Sequence, residues 1–304
     1  MISEIYSLLK KANELAGSYN VRRLNTKVCK VLLSSNSPDT ARAESCFDVL
    51  QNAYPSRTGY GYDRVSLWQR ATIRSLALVS LPGMDSTGKK ILEVGAGDGM
   101  LGVALNAFGH ATTLIDQEDW RAPGTSNVEF HRMDCCGPLP FKEGTFDLAC
   151  SYNAFEHLPD PNLTFNEMVR VVRPGGLLRI EFNPLYGSPW GLHAYRTLRM
   201  PYLQFLFSDE FIKEKIDQMG CEDLGQKRTE LQFVNRWRPS QYERLWEHTD
   251  CILLECRRHV DNSNLKVVVD FPEAFQGRLL DISDLTIAGY SVTLQKKITL
   301  SEYH

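Results

Sequence analysis

Between Lys89 and Phe182, short apolar runs of strand length alternate with longer segments of helical period. Ile91, Leu92 and Val94 form the first run. Thr112–Asp116, Val128–Met133, Phe146–Tyr152 and Leu177–Phe182 form four more. Unbroken apolar runs predict strands covered on both faces. Met100 to Phe108 reads as a helix ending at Gly109, and Asp160-Pro161 can cap and start another that carries Leu163, Met168, Val171 and Val172. Arg173-Pro174-Gly175-Gly176 stops that helix, because proline disfavours helical geometry in the residue before it. Strands separated by helices predict an α/β fold with a parallel sheet and a ligand at the strands' carboxyl ends.

The flanks follow a different pattern. Residues 1–82 read as a helical extension apart from the sheet: Ile5, Leu8, Leu9, Ala12, Leu15 and Ala16 recur at helical spacing. Ser37-Pro38-Asp39 is a candidate cap, and a helix from Asp63 carries Val65, Trp68, Ile73, Leu76 and Ala77. The loop Arg57-Thr-Gly-Tyr-Gly-Tyr62 reads as surface turn chemistry or as a flap over a ligand, and Leu81-Pro82-Gly83 closes the segment.

Beyond Phe182, Asn183-Pro-Leu-Tyr-Gly-Ser-Pro-Trp-Gly-Leu-His193 leads into Tyr195, Tyr202, Phe205, Phe207 and Phe211. Such a density of proline, glycine and aromatics suggests an ordered cover over about 183–238 rather than a linker. Ser208 to Gly220 is a capped helix, and another begins near Pro239-Ser240. Cys251–Leu254 and Ile287–Gln295 are candidate sixth and seventh strands, and either helix could precede the sixth.

Composition narrows the classes. A chain of 304 residues with 43% hydrophobic and 23% charged residues suits one large α/β domain with additions. A net charge of −3 offers no electrostatic case for nucleic acid or an anionic membrane. No apolar run is long enough to span a bilayer. Met1-Ile-Ser-Glu-Ile-Tyr-Ser lacks the pattern of a signal peptide. The eight cysteines include no Cys-x-x-Cys, and the adjacent Cys135 and Cys136 are no metal spacing, so reduced thiols in a cytoplasmic protein and no metal are expected.

The chemistry concentrates after the first strand. Gly95, Gly97 and Gly99 let the backbone turn sharply and approach a ligand that a Cβ would push away. Two motifs overlap here. Gly97, Gly99 and Gly102 fit the dinucleotide pattern G-x-G-x-x-G, with Asp116 near the offset of a ribose-binding acid. Glu93, Gly95, Gly97 and Gly99 fit [Glu/Asp]-x-Gly-x-Gly-x-Gly, whose acid suits a cationic ligand better than a pyrophosphate.

That second motif, with Asp116, Asp134, Phe155-Glu156-His157-Leu158-Pro159-Asp160-Pro161 and Arg170-Val-Val-Arg-Pro-Gly-Gly176 in order, resembles the Rossmann-like (class I) S-adenosylmethionine (SAM) methyltransferases of small-molecule type. The resemblance covers roughly residues 86–184. It implies a mostly parallel seven-stranded sheet with helices on both faces and the last strand antiparallel between five and six. The SAM-binding domain would run over 83–304.

The resemblance also assigns roles. Glu93 would engage the methionine ammonium, and Gly95, Ala96 and Gly97 would line the methionine and ribose, with Gly99 completing the turn. Asp116 would accept from both ribose hydroxyls, as a carboxylate can. Gln117 would lie beside the adenine, Asp134 would accept from its amino group, Cys135 would approach the ring, and Asn153 would face the reactive end. S-adenosylhomocysteine would be the product.

Methyl transfer from a sulfonium needs alignment above all, with the nucleophile in line at about 3–3.5 Å. A hydroxyl acceptor also needs deprotonation, for which His157 and His193 are the candidates. Tyr186 and Trp190 of the cover would contact the acceptor. The expected partner is a small-molecule acceptor with a hydroxyl, amine or carbon nucleophile, not nucleic acid or membrane, and the oligomeric state stays open. A methyltransferase for protein or RNA and a non-catalytic SAM-binding protein are the rival classes.

Overall fold

The computed structural model describes residues 22–55, 61–223, 226–247 and 249–298. The helix expected over Ile5–Ala16 and most of the Arg57–Tyr62 loop lie outside them. In chain order the elements begin with α1 (22–32), α2 (Ala41–Ser45), α3 (Phe47–Ala53) and α4 (Arg64–Val79). The alternating part follows with β1 (Lys90–Val94), α5 (Met100–Ala107), β2 (Ala111–Asp116), β3 (Glu129–Arg132), β4 (Phe146–Tyr152), α6 (Pro161–Val171) and β5 (Val172–Phe182). Then come α7 (Leu203–Leu206), α8 (Asp209–Met219), β6 (Cys221–Asp223), β7 (Gln226–Arg228), α9 (Pro239–Glu247) and β8 (Cys251–Val260). The chain closes on α10 (Lys266–Asp270), α11 (Pro272–Phe275), α12 (Ile282–Thr286) and β9 (Ile287–Lys296).

Seven strands form one sheet in the order β3-β2-β1-β4-β5-β9-β8, and β6 pairs with β7 apart from it. β1 to β5 run parallel, while β9 is antiparallel to both β5 and β8. This is the expected α/β sheet with its last strand reversed between the fifth and sixth. α9 is the helix directly before β8, which settles which candidate precedes the sixth strand.

Side chains leave successive strand residues on opposite faces. In β1, Leu92 and Val94 join the core that contains Phe165 and Met168 of α6 and Tyr242 and Trp246 of α9. Ile91 packs instead with Leu78 of α4 and Leu101 and Leu105 of α5. Glu93 therefore emerges on the α4 and α5 face. A further apolar layer joins α1 and α3 to Ala194–Cys221 and Leu265–Leu285, so the helices before residue 55 and the cover share one core.

One local expectation is corrected. α2 starts at Ala41, not at Pro38; the Asp39 carboxylate accepts from the Ala41 N–H. α4 is capped by Asp63 as expected, but Val65, Trp68, Ile73 and Leu76 are exposed. Its buried stripe is Ala71, Ser75 and Leu78. Small residues there let α4 approach α5, where Ala71 meets Met100 and Ala104.

Candidate functional site

The strand order reverses between β1 and β4, and ligands of such sheets bind outside the carboxyl ends at this switch point. A cavity of about 1340 Å³ opens there. Drug-sized pockets span roughly 300–1,000 Å³, so there is room for two molecules side by side.

The glycine turn forms one wall. Gly95, Gly97 and Gly99 all have positive φ, at 72°, 49° and 69°. A Cβ on Gly95 would overlap that of Ala154, whereas one on Gly97 would meet no protein atom within 4 Å. Gly97 thus presents bare backbone to the cavity. Its N–H donates to Asp116 Oδ2 at 2.9 Å, which ties the turn to the end of β2. Gly99 caps α5 and does not line the cavity. Glu93, Gly95, Ala96, Gly97, Asp116, Gln117, Cys135 and Asn153 do line it.

Asp134 does not. It is exposed, and its carboxylate accepts from the Cys136 N–H at 2.9 Å within its own turn. Tyr186 does not either: it packs edge-on against Phe205 beneath the Arg236 guanidinium, in the core of the cover. Trp190 and His193 line the same cavity as the glycine turn, together with Glu156 and His157.

Burial sets the electrostatics. Glu93 is 2% exposed, and desolvation holds its carboxyl well above the usual range while Arg74 pulls it down. Asp116 is also raised by burial, opposed by the Gly97 N–H. Cys135 is pushed up to about 12 by burial, so it is a thiol and not a nucleophile. Burial pushes Glu156 up to about 8 and His193 down to about 3, the latter helped by neighbouring His157. A histidine at about 3 is too weak a base to take a proton at neutral pH.

Several lining residues were not anticipated. Arg74 of α4 lies over the Tyr152 ring at 4.5 Å, and Arg70 pairs with Asp98 at 3.4 Å. Tyr62, the described end of the Arg57–Tyr62 loop, lies between Arg70 and Arg196, each 5.7 Å from its ring. Trp120, after β2, meets Arg228 of β7 at 5.8 Å. Arginine at helical spacing on a surface helix normally reads as a solvated face; the only hint was a strand acid, Glu93, that needs a cation once buried.

The cover is latched by Asn235, which is 6% exposed. Its Nδ2 donates to Phe155 O at 2.7 Å and Leu158 O at 2.9 Å, and its Oδ1 accepts from Tyr242 Oη at 2.8 Å. The Asn235 N–H donates to Glu156 O at 2.8 Å. Asn235→Ala leaves two carbonyls without these donors in a buried place. We expect a loss of about 2–4 kcal/mol, read as a lowered midpoint of thermal unfolding. An unchanged midpoint would mean that water replaces the amide.

Residues 92–180 match the family model of a methyltransferase domain. An uncharacterized methyltransferase of Mycobacterium sp. (strain KMS) is 35% identical over 130 residues, 42% of this chain and 47% of that protein. A demethylmenaquinone methyltransferase of Clavibacter sepedonicus is 28% identical over 196 residues, 59% of this chain and 77% of that one. The chain thus spans about half the length of the first of these relatives. Among solved structures, a putative sarcosine dimethylglycine methyltransferase of Galdieria sulphuraria superposes with a TM-score of 0.45 at 15% identity, over 84% of this chain and 98% of that one. The sheet order, not that likeness, carries the fold assignment.

Proposed function

We propose that this chain, whose residues 92–180 match a methyltransferase domain and whose sheet has the matching strand order, is a class I SAM-dependent methyltransferase that moves a methyl group from SAM to a nucleophile on a small molecule. The supporting observation is that one cavity joins the Gly95–Gly97 turn and Asp116 to Glu156, His157, Trp190 and His193. The first set suits a cofactor, the second an acceptor placed beyond the strand ends.

On this reading the ribose hydroxyls donate to Asp116, and the bare face of Gly97 lies against the methionine. Glu93 is an acid held partly uncharged by burial until a cation arrives. The SAM ammonium would restore its charge, as opposite charges favour ionisation. Trp120 and Gln117 flank the adenosine end. The segment 230–233 lines the cavity from the cover side, so an acceptor enclosed there would be shielded from water. Enclosure favours a small acceptor, and a hydroxyl acceptor fits the polar cluster at Glu156.

His157, whose Nδ1 donates to Phe233 O at 2.6 Å, is held in place by the cover. His193 fits a positioning or ligating role better than that of a base, because burial keeps it neutral.

Calorimetry is expected to give saturable binding of SAM and S-adenosylhomocysteine and none of NAD. A panel of small hydroxylated acceptors with methyl-labelled SAM should then release S-adenosylhomocysteine. Binding of NAD without SAM would sink the reading. Transfer of label to tRNA or protein alone would move the acceptor to the macromolecular class, and binding with no turnover on any acceptor would favour a SAM-binding protein.

A further inference from the structure

Three metal-ligating side chains converge at the acceptor side of the cavity. Glu156 and His157 follow β4, and His193 comes from the cover after β5. One ligand atom from each lies within 4.8 Å of the others. We propose that Glu156, His157 and His193 form a binding site for a divalent transition-metal cation.

The first support is Glu156. It is 1% exposed, and neither carboxylate oxygen has a hydrogen-bond partner. The N–H groups of Glu156 itself and Asn183 lie near enough to draw its pKa down, but neither completes a hydrogen bond. A buried carboxyl with no partner is costly and is normally paired or bound to metal.

The second support is the orientation of the two histidines. His157 Nδ1 lies 2.6 Å from Phe233 O, and His193 Nε2 lies 3.0 Å from Pro184 O. A carbonyl oxygen can only accept, so each of these nitrogens carries the proton. In neutral rings this places a lone pair on His157 Nε2 and on His193 Nδ1. Metal-ligating histidines commonly give their other N–H to a carbonyl, which fixes the tautomer. His193 also holds a φ of 57°, a left-handed conformation unusual for a non-glycine residue. Such conformations cluster at functional sites.

The donor set selects the ion. Two imidazoles and a carboxylate suit Zn²⁺, Fe²⁺ or Co²⁺ better than Mg²⁺ or Ca²⁺, which prefer oxygen. Bonds to such ions are about 2.0–2.2 Å, which puts tetrahedral donors about 3.4 Å apart, so a pair of donors closes by at most about 1.4 Å on binding. Three protein ligands leave positions open to the cavity. An acceptor hydroxyl on the cation would release its proton to bulk water as it binds, before it is enclosed, and the alkoxide would then take the methyl as the C–S bond breaks and the sulfonium becomes the neutral thioether of S-adenosylhomocysteine. This role rests on the methyl-transfer reading; the site itself does not.

The test is titration of the full chain with CoCl₂ alone, without SAM, followed by visible absorption. We expect one equivalent to bind with a d–d band, and His193→Ala and Glu156→Gln each to weaken binding by at least about a hundredfold. SAM affinity of the same variants should stay within about threefold of the parent chain, since neither residue is assigned to the cofactor. No saturable cobalt binding overturns the proposal, as does an unchanged band in variants that still bind SAM. X-ray absorption on the unsubstituted cobalt-loaded chain decides the matter should a variant not fold: two imidazoles and oxygen support the site, and sulfur ligands overturn it. Cobalt bound at this trio in a chain that does not bind SAM would leave the metal site standing and remove the methyl-transfer reading.

Discussion

Asp116→Ala is expected to weaken SAM binding by about ten- to a hundredfold while the chain stays folded. Two consequences combine. The carboxylate would lose charge-assisted hydrogen bonds from the ribose hydroxyls, worth roughly 1.5–3 kcal/mol. It would also release the Gly97 N–H, which now donates to Asp116 Oδ2 at 2.9 Å. That second loss distinguishes this residue from an acid that merely touches a ligand, because the turn itself loosens. Fold stability should change little: Asp116 is half-buried at a strand end, and burial already disfavours its ionised form. Asp116→Asn keeps one acceptor oxygen for Gly97 and should fall between the two. Calorimetric SAM affinities with circular dichroism as the folding control check this. Unchanged affinity in a folded Asp116→Ala would make it a loop-end acid and remove the ribose assignment.

The strands were legible because their burial is intrinsic to the chain. Phe146–Tyr152 carries polar side chains only at Asp147 and Ser151 and is buried at every position but Asp147, as a strand covered on both faces is. The positive-φ glycines were legible for the same kind of reason: Gly95, Gly97 and Gly99 perform a backbone task that depends on no distant partner. Asp116 adjoins the turn because Val94 pairs with Ile115 in parallel register, so the strand pattern alone brings these residues together.

What stayed hidden depends on packing across the chain. The apolar residues Val65, Trp68, Ile73, Leu76 and Ala77 pointed to the helix α4 but not to the face it buries. The helix docks through Ala71 and Ser75, where small side chains permit a close approach. That choice of face carries Arg70 and Arg74 to the cavity. Within the cover, aromatic density announced order but not direction: Trp190 reached the cavity and Tyr186 joined the core. Glu156 beside His157 was visible as a pair, but His193 completes the trio only through the path of the chain after β5. Asp134 is a different case. The resemblance implies a contact with the adenine amino group there, while the structure shows one of its oxygens accepting from the Cys136 N–H, a routine arrangement for an Asp at a turn.

Gly95→Ala is expected to be as damaging as any substitution that adds one carbon to this chain. Gly95 sits at φ 72°, where an L-residue costs about 1–2 kcal/mol. Its new Cβ would overlap that of Ala154, in the loop after β4. Overpacking of a rigid site costs about 1–3 kcal/mol more. Neither neighbour can yield easily. The Gly95 and Ala96 N–H groups both donate to Ile115 O, and Ala154 lies between Asn153, whose N–H donates to Glu181 O, and the buried Phe155. The combined cost of about 2–5 kcal/mol should appear as lowered thermal stability and as at least about a tenfold loss of SAM affinity. The two contributions can be separated. Ala154→Gly in the Gly95→Ala background removes the overlap but not the backbone strain, so it should restore more than half of the loss. Ala154→Gly alone should change little. A double variant no better than Gly95→Ala would place the whole cost in the left-handed backbone and would show that the β1 and β4 loops are not in the contact on which the shape of this wall depends.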